Sequence, residues 1–150
     1  MLAVAGCGRP GGETAPRDSL YARLGGEAAI TAVVDDFVAR GAANPAVNFS
    51  REGSERRWAG TPEQVEKLKR GLVQFICRAT GGPRKYEGRD MRTVHAGMNI
   101  TDAEFDALAD DLRASLDKLN VPARERDELM AIVATTRTDI VENSGAASSR

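Results

Sequence analysis

Apolar residues recur at helical spacing along most of this 150-residue chain, and that periodicity is the strongest constraint on its fold. In the first long segment one helix face is apolar, because the residues spaced i, i+3, i+4, i+7 and i+8 are Ile30, Val33, Val34, Phe37 and Val38. This pattern predicts a helix over residues 27–41. No segment alternates polar and apolar residues for long enough to predict a strand. The chain is therefore expected to be all-α.

Start and stop signals predict three further long helices. Capping boxes begin at Thr61 and at Thr101, and each is completed three residues later, by Gln64 and by Glu104. Pro122 marks the start of the last helix. The predicted spans are 62–80, 102–119 and 123–142, with short helices near 19–24 and 90–94. Between residues 50 and 60 the periodicity is lost, which predicts a surface loop or a short helix that the single tryptophan anchors against the body.

The two ends of the chain lack this periodicity. The stretch Val4-Ala5-Gly6-Cys7 resembles the lipobox of bacterial lipoproteins, in which small residues precede a lipidated cysteine. We expect a leader and flexible linker over residues 1–17, a folded domain over 18–143 and a disordered tail over 144–150. Lipidation of Cys7 would place the domain at the cell envelope, whereas an unmodified chain would be cytoplasmic. No apolar run approaches the roughly 20 residues of a membrane-spanning helix.

Composition excludes several classes of function. Lys and Arg total 21 against 22 Asp and Glu, so no basic surplus is available for wrapping nucleic acid. The chain has two cysteines, too few for a zinc ribbon or a disulfide scaffold. It has one histidine, His95, so a metal site with two histidines lacks a ligand. One imidazole does suffice as the axial ligand of a haem, and the alternative is a histidine with a purely structural role.

The surroundings of His95 carry a resemblance to a known family. Residues 86–101 contain this histidine and end where the capped helix begins. They follow the helix stop Gly81-Gly82-Pro83, and Leu24-Gly25-Gly26 occurs earlier in the chain. This order resembles the truncated haemoglobins, above all their group I, over about residues 19–142. The resemblance implies a two-over-two helical sandwich, in which helices 27–41 and 62–80 cross helices 102–119 and 123–142.

The same resemblance implies a site. His95 matches the proximal ligand of the iron in haem b, iron protoporphyrin IX. Phe49 matches an aromatic ring packed on the porphyrin face, and Tyr86 a residue near the propionates. The full set of expected haem-pocket residues is Phe37, Val38, Phe49, Leu68, Leu72, Ile76, Tyr86, Met91, Ile100 and Phe105. Helix packing alone also accounts for the apolar stripes among them. Candidate partners for the propionates are Lys67, Lys69, Arg70, Arg84, Lys85, Arg89 and Arg92.

The distal side departs from the family pattern. Group I members usually carry a tyrosine at the position of Val38 and often a glutamine at the positions of Leu68 and Leu72. An apolar pocket without a hydrogen-bond donor is therefore expected, with weak retention of O2. Gln74 or a residue of the 50–60 segment is the alternative source of a donor.

Three functions are compatible with these features. The first is a haem protein that reversibly binds O2 or another diatomic gas, such as CO or NO. The second is a haem enzyme that detoxifies nitric oxide or reactive oxygen species; it would need a separate reductase, because the chain has no flavin or nicotinamide motif. The third is a helical lipoprotein that acts as a scaffold without haem.

Overall fold

The computed structural model of the protein describes residues 14–143, and every regular element in that range is helical. The lipobox-like stretch ending at Cys7 and the tail from residue 144 lie outside the described residues. The helices are α1 (Leu20–Arg23), α2 (Gly26–Ala43), a 3-10 turn (Pro45–Val47), α3 (Pro62–Ala79), α4 (Met91–His95), α5 (Asp102–Lys118), α6 (Ala123–Ala134) and α7 (Arg137–Ile140). Among these described helices, none is long and apolar enough to cross a membrane.

The predicted helix boundaries are confirmed where local hydrogen bonds define them. Thr61 and Gln64 form a reciprocal capping box at the start of α3, with N–H to oxygen distances of 3.1 and 3.3 Å. Thr101 and Glu104 form the same arrangement at the start of α5, at 3.1 Å in both directions. At the other end of α3, Gly81 takes a positive φ of 90°, and the next amide, of residue 82, donates to the carbonyl of residue 77 at 2.7 Å. This Schellman arrangement satisfies the last carbonyls of the helix and turns the chain.

The core forms where α2 packs against α3 and α5. The predicted stripe of α2 is buried in full, which confirms the helix and its inner face. Fully buried residues from the other helices meet it, among them Cys77 of α3 and Leu116 of α5. α6 packs against α5, and α1 packs against α2 and α6. The four long helices therefore share one core, and α4 lies outside it.

The single final helix predicted over 123–142 is wrong. The chain leaves the α-helix after Ala134, and α7 begins only at Arg137. The hydroxyls of Thr135 and Thr136 each donate to the carbonyl three residues earlier, at 2.6 Å, and thereby compete with the regular helical hydrogen bonds. The chain is redirected at this point, and α7 packs against α4.

The 50–60 segment is a loop, so the alternative of a short helix is wrong. Its anchoring by Trp58 is confirmed, since the indole meets the ring of Phe49 edge-on with centroids 5.1 Å apart. A second anchor was not expected from the sequence. Arg51 is buried and pairs with Glu104 of α5 at 2.8 Å.

Candidate functional site

His95 is the last residue of α4, a five-residue helix. Asp90 caps the start of this helix by accepting from the amide of Thr93 at 2.9 Å and from its hydroxyl at 2.7 Å. The imidazole is half-buried, and its Nδ1 lies 2.8 Å from the carbonyl oxygen of Met91. The helix therefore orients the ring through one backbone hydrogen bond.

That hydrogen bond determines which ring nitrogen can bind a metal. A carbonyl oxygen only accepts, so Nδ1 of His95 carries a hydrogen, and in the neutral ring Nε2 then carries the lone pair. Nε2 has no hydrogen-bond partner within residues 14–143. Burial lowers the pKa of this imidazole below its ordinary value, although the hydrogen bond to Met91 opposes the shift. The result is a neutral imidazole with a free nitrogen lone pair, which is the form that ligates a metal.

An apolar face of α3 is left uncovered by the protein. The stripe Val65, Leu68, Leu72 and Phe75 packs against the core on one side but is only half-buried. α3 packs chiefly against α2 and α4 chiefly against α7, so α3 and α4 do not close on each other. Apolar surface left open in this way is typical of a site that another group covers. Together with the neutral imidazole on α4, it fits a flat, largely apolar group such as haem.

The ten expected pocket residues divide by burial. Six are half-buried and keep accessible surface: Phe49, Leu68, Leu72, Tyr86, Met91 and Ile100. Four are buried against the protein itself: Phe37, Val38, Ile76 and Phe105. Over the ring of Phe105 lies the guanidinium of Arg137, 4.5 Å from the centroid. The half-buried six have the surface that a cofactor could cover.

Tyr86 is held by the protein at both ends of its side chain. Its ring meets Phe75 edge-on at 5.8 Å, and its hydroxyl donates to the carbonyl of Arg89 at 2.8 Å. Burial raises the pKa of this phenol above its ordinary value. The residue thus fixes the loop after α3 against that helix.

Three of the seven candidate cations are already paired with carboxylates. Lys69 pairs with Asp35 at 3.0 Å, Arg84 with Glu27 and Arg92 with Asp139. The Arg84 guanidinium also lowers the pKa of the Glu27 carboxyl. Across residues 14–143, no ion pair is formed by the other four, which are Lys67, Arg70, Lys85 and Arg89. These four are the better candidates for binding a propionate.

Gln74 and two arginines of the 50–60 loop form hydrogen bonds elsewhere, and the other residues of that loop stay open as sources of a distal donor. The side chain of Gln74 donates to Glu87 at 3.4 Å and lines a polar groove between α2 and α3. Two arginines of the 50–60 loop, Arg51 and Arg56, bond to backbone carbonyls on the His95 side of the molecule. The residues at the expected distal positions, Val38, Leu68 and Leu72, are apolar.

Sequence reasoning missed the residues that hold the His95 segment. Arg56 donates to the carbonyls of Val94 and Ala96, at 3.0 and 2.8 Å. Glu142 accepts from the amides of Gly97 and Asn99, at 2.8 and 2.6 Å. The irregular run of charges between residues 50 and 60 was the only signal in the sequence, and it does not identify a partner.

Comparisons with known proteins agree with this geometry. Residues 19–142 match the model of the bacterial-like globin family. A group 1 truncated haemoglobin of Chlamydomonas moewusii is 34% identical over 139 residues, which cover 88% of this chain and 75% of that protein. The crystal structure of truncated haemoglobin from Tetrahymena pyriformis in the Fe(III) form matches with a TM-score of 0.72 and 27% identity, over 84% of this chain and 100% of that one. The 2/2 haemoglobin of a Synechococcus species, solved in the cyanomet state with covalently attached haem, matches with a TM-score of 0.71 and 33% identity. The match covers 83% of this chain and 99% of that one.

Proposed function

This chain belongs to the bacterial-like globin family, among the group 1 truncated haemoglobins, and from that premise we propose that His95 holds a haem b whose iron reversibly binds O2 or another diatomic gas. The observation that carries the proposal is the hydrogen bond from Nδ1 of His95 to the carbonyl of Met91, because Nε2 is then the ring nitrogen left without a hydrogen-bond partner among residues 14–143. The lowered pKa of the imidazole keeps it neutral at pH 7. A protonated imidazole has no lone pair and could not serve as a ligand.

The apolar surface supports the same proposal. Haem requires an apolar slot and cationic groups near its two carboxylates. The half-buried stripe of α3, with Phe49 and Tyr86, supplies apolar surface, and Met91 and Ile100 add to it near His95. Lys67, Arg70, Lys85 and Arg89, which form no ion pair with any other residue in the described range 14–143, are available for the propionates. When bound, haem would supply an iron that His95 could ligate and that could bind a diatomic gas.

The distal residues determine how strongly O2 is held. Val38, Leu68 and Leu72 are apolar and would offer no hydrogen-bond donor to a bound ligand. A hydrogen bond to a charged acceptor contributes about 1.5–3 kcal/mol. Without it, retention of O2 should be weaker by roughly one to two orders of magnitude. CO accumulates little charge when it binds, so its retention should be affected much less. We therefore propose a gas-binding site with a high preference for CO over O2.

The test is the absorption spectrum of the purified protein and of two variants of His95. The wild-type protein should show a Soret band, and its ferrous form the spectrum of a histidine-ligated haem. His95→Ala should bind haem far more weakly, because the chain has no second histidine. His95→Gly with added imidazole should regain the wild-type ferrous spectrum, which controls for damage to the fold. A His95→Ala protein that retained haem with an unchanged ferrous spectrum would contradict the assignment.

A further inference from the structure

Two charged side chains from distant parts of the chain bracket the proposed ligand. Nη1 of Arg56, in the 50–60 loop, donates to the carbonyl of Val94 at 3.0 Å and to that of Ala96 at 2.8 Å. These are the two residues on either side of His95. One nitrogen atom thus binds the carbonyl of the residue before the histidine and the carbonyl of the residue after it.

The next residues are held from another direction. The carboxylate of Glu142, just after α7, accepts from the amide of Gly97 at 2.8 Å and from that of Asn99 at 2.6 Å. Between these amides, the carbonyl of Met98 accepts from Arg51 at 3.3 Å. The two amide hydrogen bonds lower the pKa of the Glu142 carboxyl, so it is ionised at neutral pH.

The segment needs these partners because its own backbone forms little regular structure. α4 has only five residues, and a helix this short is not stable by itself. Gly97 and Asn99 both have positive φ, 80° and 52°, so no helix continues beyond His95. Backbone groups in such a segment must find other partners or remain unpaired. Arg56 also offers a positive charge to the carbonyl end of α4, where a helix favours one.

We propose that Arg56 and Glu142 are positioning residues that fix the direction of Nε2 of His95 and thereby govern how firmly haem is held. The inference rests on the proposed function, in which this nitrogen ligates the iron. Neither side chain is assigned a contact with haem or gas. Each acts through the backbone that carries the ligand. Arg56 binds carbonyl groups before and after His95, and Glu142 binds the amides of Gly97 and Asn99.

The chain offers a matched control for each residue. Arg57 is adjacent to Arg56, but within the described part of the chain its guanidinium makes only an exposed pair with Glu52 at 3.7 Å. Glu63 is exposed in the first turn of α3 and makes no ion pair within residues 14–143. Arg57→Gln and Glu63→Gln therefore change the net charge as the test variants do, without releasing the His95 segment.

The experiment compares haem-loaded Arg56→Gln and Glu142→Gln with these controls and the wild type. The first measurement is the rate at which the ferric protein loses haem to an excess of a haem-free acceptor globin. The second is the iron–histidine stretching band in the resonance Raman spectrum of the ferrous protein. We expect each test variant to lose haem about tenfold faster, which corresponds to one charge-assisted hydrogen bond of ordinary strength. The band should shift or broaden in both variants and stay unchanged in the controls.

The two measurements separate this inference from the proposed function. Suppose that the wild-type protein shows a clear iron–histidine band. Test variants with the same rate of haem loss and the same band as the controls would then overturn the positioning role alone. A wild-type protein without that band would overturn the proposed function instead. If a glutamine variant does not fold, Arg56→Lys or Glu142→Asp replaces it under the same criteria, since each keeps the charge on a shorter side chain.

Discussion

The apolar wall on α3 and the segment that carries His95 are stabilised in opposite ways. α3 is 18 residues long, is capped at both ends and satisfies its own backbone hydrogen bonds, so its position depends on apolar packing against α2. The His95 segment consists of a five-residue helix and a loop, and its backbone is satisfied by charged side chains from residues 51, 56 and 142. A long helix can therefore leave one face open without losing its structure, whereas the short segment depends on remote partners.

The first prediction tests the packed half of this comparison and has the largest expected effect. Leu116 is fully buried and lines an apolar cavity of about 250 Å³ together with Ile30, Val33 and Ile76. Leu116→Ala should lower the free energy of unfolding by about 2–5 kcal/mol, because it removes buried contacts and enlarges the cavity. Urea denaturation of the haem-free protein measures this. Arg56→Gln, at an exposed side chain, should leave the same quantity nearly unchanged, and an equal loss in both variants would remove the distinction between the two regions.

The second prediction concerns a charged group at the contact between α2 and α5. Asp36 of α2 accepts hydrogen bonds from Lys118 and from Ser115 of α5, and these bonds lower its pKa from 3.8 to about 2. A carboxyl with a depressed pKa stabilises the fold above its unfolded pKa, and the contribution is lost as the pH falls towards 2. Asp36→Asn should therefore lower the free energy of unfolding by up to about 2 kcal/mol at pH 7, since one pKa unit corresponds to about 1.4 kcal/mol. Urea titrations from pH 7 to 2 should show the difference between wild type and variant disappear. A difference that stays constant with pH would contradict the assigned pKa.

The third prediction sharpens the comparison on the distal side. Val38 is buried on α2, 3% exposed, and the resemblance to group I members predicts a tyrosine at its position. Val38→Tyr should slow O2 dissociation about tenfold if the hydroxyl contributes 1.4 kcal/mol to the bound state. Val38→Phe is the matched control, because it adds the ring without the hydroxyl and reports the cost of overpacking, typically about 1–3 kcal/mol of stability. Stopped-flow O2 release measures both. Equal rates in the two variants would mean that the hydroxyl does not reach the ligand.

The smallest expected effect is a gain in stability on the open face of α3. Gly71 lies within the helix, one turn from Leu68 and Phe75, and a Cβ atom there would meet nothing within 4 Å. Gly71→Ala should therefore raise the free energy of unfolding by roughly 0.5–1 kcal/mol, the usual gain for alanine over glycine inside a helix. Thermal unfolding of the haem-free protein is sensitive enough to detect it. A loss of stability would show that this face is more closely covered than the structure indicates.

Sequence reasoning predicted the features that local chemistry determines. The capping boxes at Thr61 and Thr101 and the turn at Gly81 each depend on residues within a few positions, and all three are confirmed. The break after Ala134 was missed because the apolar residues keep their helical spacing across it, while the two threonine hydroxyls act through backbone carbonyls that no pattern marks.

The side chains of the candidate site could be predicted from the sequence, but the partners that hold the His95 backbone could not. His95 stands out as the only histidine of the chain, and the apolar stripe of α3 follows from its spacing. The roles of the individual pocket residues remain a prediction. The partners of the His95 segment could not be inferred, because Arg56 lies 38 and 40 residues, and Glu142 lies 43 and 45 residues, from the backbone groups they bind. Contacts over such distances depend on the folded path of the chain.

The break between α6 and α7 also links the proposed ligand to local opening of the fold. α7 has four residues, none of them buried, and short elements outside the core open far more often than the core unfolds. Glu142 lies two residues beyond the end of α7 and accepts from the amides of Gly97 and Asn99, so we expect opening of α7 to release them. Hydrogen exchange at these two amides should therefore follow the opening of α7 and proceed much faster than exchange in the buried turns of α2. On the proposed ligation, the lifetime of bound haem depends on the fraying of a four-residue helix and not on the stability of the core.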